Sequence, residues 1–216
     1  MTIKTSGTLS MQEINAEFGL GTDLYAYRGV KWYRDDNSRG YFDQAMGNNP
    51  PIDMLEFYGK RKTIPVVASG PTAQANGSYF SVPFYNKITI VVKGGTNGGT
   101  GAAGYYNGGP SSGTLTPGSG GTAGGSSQFG NYGSAGSGGT TTIVFNAESD
   151  PNAPLKGIPI LNTVGAAGVG GKGGDIWNWE SVYNIFTGRY ENQYVYRGDA
   201  AQGANGSPGS ITIKVE

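Results

Sequence analysis

Between Gly94 and Gly139 the chain places nineteen glycines in forty-six residues, and no Asp, Glu, Lys or Arg occurs between Lys93 and Glu148. Glycine gives up more backbone freedom on folding than any other residue, so such a block orders only inside a frame. The frame is legible. Lys87-Ile88-Thr89-Ile90-Val91-Val92-Lys93 precedes the block, and Ser210-Ile211-Thr212-Ile213-Lys214-Val215 closes the chain. Ile88, Ile90 and Val92, and separately Ile211, Ile213 and Val215, alternate with neighbours of the opposite face, so each trio is expected to face a core. An uncharged glycine insert between two such strands reads as a frame for backbone-dominated loops, not as an enzyme core. Three conformations compete for the insert: compact turns with positive φ stacked at one end of a sandwich, polyproline II helices packed side by side, or a flexible segment. The spacing Gly94-Gly95-x-x-Gly98-Gly99-x-Gly101 departs from strict Gly-X-Y and excludes collagen. Stacked loops are the favoured reading, and polyproline II packing stays open beside it.

Composition narrows the class. Glycine and proline are abundant, yet aromatics make up 12% and charged residues only 14%, which argues against disorder. Fifteen basic residues balance fifteen acidic ones, so no excess charge exists to neutralise a nucleic-acid backbone. No apolar run is long enough for a membrane span, and Met1 to Gly7 lacks the apolar core of a signal peptide. Cysteine and histidine are absent, which removes disulfides, thiolate sites and the commonest zinc ligand. No cofactor and no metal are expected.

The fold class expected is mainly β: a small helix-bearing module over 1–62, then a β-sandwich-like domain with glycine-rich loops over 64–216. Ser10-Met11-Gln12-Glu13 is a capping box, and Gly19 a natural stop, predicting a helix over about 10–18. Asp53 to Tyr58, stopped by Gly59, predicts a second helix. Leu24 to Tyr33 between them is expected to be extended and to pack across both. Asn48-Asn49-Pro50-Pro51 reads as a turn, and Lys60-Arg61-Lys62 as a solvated junction. In the second part, strands are expected at 65–68, 78–83, 87–93, 140–146 and 210–215. A weak strand at 158–161 is confined to an edge by Pro159. Gly165 to Gly174 is a second glycine cluster. It resembles a Walker loop only superficially, since no Ser or Thr follows Lys172.

The best candidate binding surface is 176–196, which carries Trp177, Trp179, Tyr183, Phe186, Tyr190, Tyr194 and Tyr196. Trp177 and Trp179 fall on one face of a strand, and aromatic faces stack on sugars and dominate protein interfaces. The candidate receptor-binding residues are Trp177, Trp179, Tyr183 and Tyr190, joined by Tyr105, Tyr106 and Tyr132 on the glycine insert. The competing reading makes the stretch core or a subunit contact. Asp35-Asp36, Glu148/Asp150 and Asp175/Glu180 could each supply two carboxylates for glycoside cleavage, but any chain with fifteen acids offers such pairs. Asp150-Pro151-Asn152 reads as a turn that at most helps to hold calcium.

The segment Ser6-Gly7-Thr8-Leu9-Ser10-Met11-Gln12-Glu13-Ile14-Asn15-Ala16-Glu17-Phe18-Gly19 resembles the N-terminal segment of bacteriophage tail proteins. So do Leu24-Tyr25-Ala26-Tyr27-Arg28-Gly29 and Pro51-Ile52-Asp53-Met54-Leu55-Glu56-Phe57-Tyr58-Gly59. The second part is similar to glycine-rich phage tail domains, which share a Val-Pro motif, a strand and a glycine block, as in Val82-Pro83 through Gly95. They close with a Pro-Gly turn and a final strand, as in Ser207-Pro208-Gly209 through Val215. The resemblance implies a non-enzymatic virion component of the tail fibre or tip, made in a bacterial cytoplasm. In it, residues 1–62 would bind other tail proteins, and the glycine-rich part would meet a host surface glycan or outer-membrane protein. It also implies a homo-oligomer, most simply a trimer. The alternative is a purely architectural virion protein of collar, baseplate or head, and a depolymerase is the third hypothesis.

Overall fold

The computed structural model describes residues 3–34, 38–42, 52–63 and 68–216. The chain is mainly β, with several antiparallel sheets and one α-helix among the described residues. The expected turn at 48–51 and residues 65–67 of the expected first strand lie outside them, as do Asp35 and Asp36.

The N-terminal module is built on rings. Helix α1 (Met11–Phe18) starts where predicted: Glu13 N–H donates to Ser10 Oγ while Ser10 N–H donates to the Glu13 carboxylate, and Gly19 ends it at φ 75°. Its Phe18 is fully buried and meets Tyr27, Phe42 and Phe57 edge-on at 5.2–6.1 Å between ring centres. The segment expected to be extended instead opens with a 3₁₀ turn, Leu24–Tyr27, before strand β1 (Lys31–Tyr33) pairs with β2 (Arg39–Tyr41). The second helix is likewise a single 3₁₀ turn, Met54–Phe57.

These two turns are the same device used twice. Asp23 and Asp53 each accept a hydrogen bond from the amide two residues on, at 2.9 Å. Four residues after each aspartate an aromatic, Tyr27 or Phe57, is fully buried, and these two rings meet edge-on at 5.4 Å. Six residues after each aspartate a glycine, Gly29 or Gly59, takes φ near 70°. The aspartate satisfies the turn's open amides, and the left-handed glycine reverses the chain once the ring is seated.

Of the junction run Lys60-Arg61-Lys62, expected to be solvated, only Lys62 is exposed. Lys60 is 6% exposed, with its ammonium 4.1 Å from the Trp32 ring centre and 4.7 Å from that of Phe42. Burial lowers its pKa. Lys62 donates to the Phe18 carbonyl at the end of α1, where the helix dipole favours a cation. Arg61 exchanges backbone hydrogen bonds with Tyr33 and lays its guanidinium 5.2 Å from the Phe84 ring, across the junction. Arg39 donates to the Tyr85 carbonyl and Lys31 pairs with Glu148, tying the module to the next domain at one end.

That domain is a small sandwich. Strands β3 (Ser69–Gln74) and β4 (Tyr79–Ser81) precede β5 (Lys87–Lys93), β6 (Gly104–Asn107) and β7 (Leu115–Thr116). Then come β8 (Ser127–Phe129), β9 (Gly133–Ala135), β10 (Thr140–Asn146) and β11 (Pro159–Thr163), followed by β12 (Asp175–Asn184), β13 (Arg189–Asp199) and β14 (Ser210–Val215). One sheet has the order β10-β5-β14-β3, and the facing sheet β4-β11-β8-β9. The two trios seen in sequence pair in register, Ile211 with Val92, Ile213 with Ile90 and Val215 with Ile88, and all six side chains are buried. Phe129, Ile160 and Val82 close the core from the other sheet. Strand β11 lies inside its sheet and not at the edge. Pro159 is its first residue, where a missing amide interrupts no ladder.

The glycine blocks are not stacked loops. Four segments, 94–103, 118–125, 165–174 and 200–209, run almost entirely without helix or strand between sandwich strands at one end and β6, β7, β12 and β13 at the other. They bond to one another every third residue. Gly95, Gly98 and Gly101 donate to Gly125, Thr122 and Ser119, and Gly168, Gly171 and Gly174 donate to Thr96, Gly99 and Ala102. Gly203, Gly206 and Gly209 donate to Gly171, Gly168 and Gly165. A three-residue repeat is that of the polyproline II helix, and the bundle is a packed set of four. The first and third segments run parallel and touch; the second and fourth run antiparallel and flank them. A Cβ at Gly98 would run into the Val169 carbonyl, at Gly121 into that of Gly98, and at Gly203 into that of Gly99. At about 3.1 Å per residue, the bundle holds the two β layers roughly 25 Å apart.

Candidate functional site

The N-terminal module meets the sandwich where β5 begins, beside Phe84, Tyr85 and Glu148. The glycine bundle leaves where β5 ends, at Lys93. The distal sheet, order β13-β12-β6-β7, is therefore at the opposite end of the molecule from that module. Six of the seven candidate residues gather there.

Alternation sets their faces. Trp177, Trp179 and Tyr183 share one face of β12, opposite Tyr196, Tyr194 and Tyr190 on β13. Tyr106, beside Trp177 on β6, stacks on it at 6.2 Å and meets Tyr194 edge-on at 4.7 Å. Trp179 packs on Tyr194 at 4.8 Å. The turn after β6 covers this cluster: Gly109 sits so close to the Trp179 ring that a Cβ there would strike it. Tyr194 Oη accepts from Ser111 N–H at 2.6 Å and donates to the Gly108 carbonyl at 3.1 Å. Trp177, Trp179 and Tyr106 are thus half-buried braces of the hairpin base. Tyr105, the next residue of β6, points to the other face and is exposed.

Beyond Glu180 and Gln193 the hairpin continues as two strands alone. Tyr183 and Tyr190, both exposed, meet edge-on at 5.2 Å across it. The tip carries Ile185, 76% exposed, and Phe186, 93% exposed. Asn184 fixes the turn: its Oδ1 accepts from Phe186 N–H and Thr187 N–H, its Nδ2 donates to Glu191, and its carbonyl accepts from Gly188 N–H. Gly188 closes the turn at φ 66°. A rigid turn holding two bare apolar side chains in water is the signature of a contact surface. Phe186 is one of the seven aromatics of 176–196 but stands outside the candidate set drawn from sequence. The signal was there in Asn184-x-x-x-Gly188, a turn whose intervening residues could only be exposed.

Charges flank the aromatic face in pairs. Arg197 donates to both Glu180 oxygens, which holds that carboxyl below the usual range. Asp199 accepts from Tyr196 and pairs with Lys172 at 3.1 Å, and these hydrogen bonds lower its pKa. Hydrogen bonds from Asn184 and Thr187 lower that of Glu191. Asp175 lies 3.5 Å from Lys172. Asp175 and Glu180 are ion-paired to Lys172 and Arg197, and the Glu180 carboxyl has its pKa lowered where a general acid has its pKa raised. Glu148 is held by Lys31, and Asp150 accepts from Asn152 N–H in the turn read from sequence. Among the described residues no three acidic side chains gather as a metal site, and no helix is long and apolar enough to cross a membrane. The Walker-like stretch is the third glycine segment, built of packed backbone and not a phosphate cradle.

Tyr132 does not join the distal group. It lies on the sandwich, between Phe129 and Phe145 at ring distances of 6.1 and 5.2 Å. Comparison with family models, with curated proteins and with solved structures returns no match.

Proposed function

We infer that this chain is a bacteriophage tail component, of fibre or tip, that docks through residues 1–62 and presents its distal aromatic hairpin to a receptor on the host surface. The observation that carries this reading is the end-to-end layout. Four packed glycine segments hold an exposed aromatic tip away from a compact, separately cored module whose sequence resembles tail-protein N-termini. A layout of this kind separates attachment to the particle from contact with the target. The contact residues are Phe186, Ile185, Tyr183, Tyr190 and Tyr105; Trp177, Trp179 and Tyr106 set the hairpin's angle. The partner is a host surface glycan or outer-membrane protein, the working form is a homo-oligomer, and no catalytic step is assigned. Deletion of 1–62 tests the polarity. Particles assembled with the deleted chain should lack it, while the purified 64–216 fragment should still bind cells. Normal incorporation of the deleted chain would overturn the reading in favour of an architectural protein.

A further inference from the structure

Tyr132 lines a cleft of about 640 Å³ on the outer face of the β4-β11-β8-β9 sheet. That volume falls within the roughly 300–1,000 Å³ of small-molecule sites. The cleft's chemistry is specific. Tyr79, 66% exposed, supplies a bare aromatic ring, Tyr132 lies beside it with its own ring packed between Phe129 and Phe145, and Ile158, Pro159 and Leu161 supply aliphatic surface between strand ends. Gln128, Asn131 and Thr163 add two amides and a hydroxyl. Among the described residues none of these three side chains, nor the Tyr79 hydroxyl, makes a hydrogen bond, so four polar groups are available to a ligand. Among the described residues no Asp, Glu, Lys or Arg lines the cleft. Gly130, at φ 46°, keeps it open: a Cβ there would stand 2.7 Å from Ile160 Cγ2.

We propose that this cleft is a binding site for a neutral saccharide. Planar rings stack on the C–H face of a pyranose, while amides and hydroxyls, each both donor and acceptor, match its hydroxyl edge. The absence of charge selects against phosphorylated, sulfated and uronic sugars, whose anions would lose hydration with no cation to meet them. The site is on the sandwich and does not depend on the distal hairpin.

The test uses the full chain and three probes: maltotriose, cellotriose and triacetylchitotriose. At millimolar concentration at least one should shift the backbone amide resonances of 130–132 and 161–163 and leave those of 183–190 in place. Tyr79→Ala, at an exposed position, should keep the fold and weaken that probe roughly tenfold, the effect of losing one stacked ring. Asn131→Ala should weaken it as well. Trigalacturonic acid should bind more weakly than the best neutral probe. No shift with any of the three neutral probes, undiminished binding in both folded variants, or tighter binding of trigalacturonic acid would each overturn the proposal. None of these outcomes bears on attachment through the distal tip.

Discussion

At Gly98 an added methyl group would run into the Val169 carbonyl, whereas at Gly120 it would meet nothing within 4 Å. Two glycines in adjoining stretches of the chain thus have different reasons to be glycine. Gly98→Ala should destabilise the protein by about 1–3 kcal/mol, the cost of forcing atoms into a packed interior. Gly120→Ala should stay within about 0.5 kcal/mol of the parent. Thermal or denaturant unfolding of the two variants separates them, and equal losses would argue against the packed bundle. The same contrast explains why stacked loops are the reading that the sequence favours. Spacing judged along 94–101 as one run looks irregular, because Gly94 and Gly99 interrupt it. Taken segment by segment, Gly95, Gly98, Gly101 and Gly104 step by three, as do Gly118, Gly121 and Gly124. Gly165, Gly168, Gly171 and Gly174, and Gly203, Gly206 and Gly209, do the same. The period was present, but each run is short, and the partners that give it meaning are distant in sequence.

Among elements, the strands with alternating apolar residues were legible because burial on one face writes itself as a period of two. Strands β5 and β10 have the expected bounds. The capping box of α1 was equally plain, and Ser10→Ala should cost about 1 kcal/mol in unfolding experiments. The 3₁₀ turn at Met54–Phe57 was not distinguishable from a helix, since an Asp cap and a glycine stop serve both, and the one at Leu24–Tyr27, expected to be extended, carries the same two signals. Strand β3 was missed because Ser69-Gly70-Pro71-Thr72 lacks apolar alternation; it exists as an edge strand paired to β14. The distal hairpin has its own pH dependence. Glu180, Glu191 and Asp199 have lowered pKa values, so their contribution is present above the usual carboxylate range. It is lost as pH falls through and below that range, when the folded state must take up these protons. Protection from amide exchange at 189–199, taken relative to the intrinsic rate at each pH, should therefore fall in acid before protection at 87–93 does. Simultaneous loss of both would mean that these pairs do not hold the hairpin.

For the whole molecule, the two cores are separate clusters, one around Phe18 and one around Ile90, joined by a few polar and ring contacts. Residues 64–216 should therefore fold alone, with a cooperative transition and strand-type circular dichroism; aggregation of that fragment would show that the junction at Arg61 and Phe84 is part of the sandwich core. The central claim is that the far end of the molecule, and its apolar tip in particular, makes the contact with the host surface. The contact side chains Ile185, Phe186, Tyr183, Tyr190 and Tyr105 carry no charge, so this contact should depend on side-chain burial and little on ionic strength. The direct measurement is attachment of labelled protein to susceptible cells at low and high salt, comparing the parent with Phe186→Ala combined with Tyr190→Ala. Both positions are exposed, so the variant should keep its circular dichroism and melting temperature. The account predicts attachment weakened by about thirtyfold or more at both salt levels, as expected when a hot-spot aromatic is lost. Undiminished attachment by the folded variant, or attachment that disappears with salt alone, would contradict it.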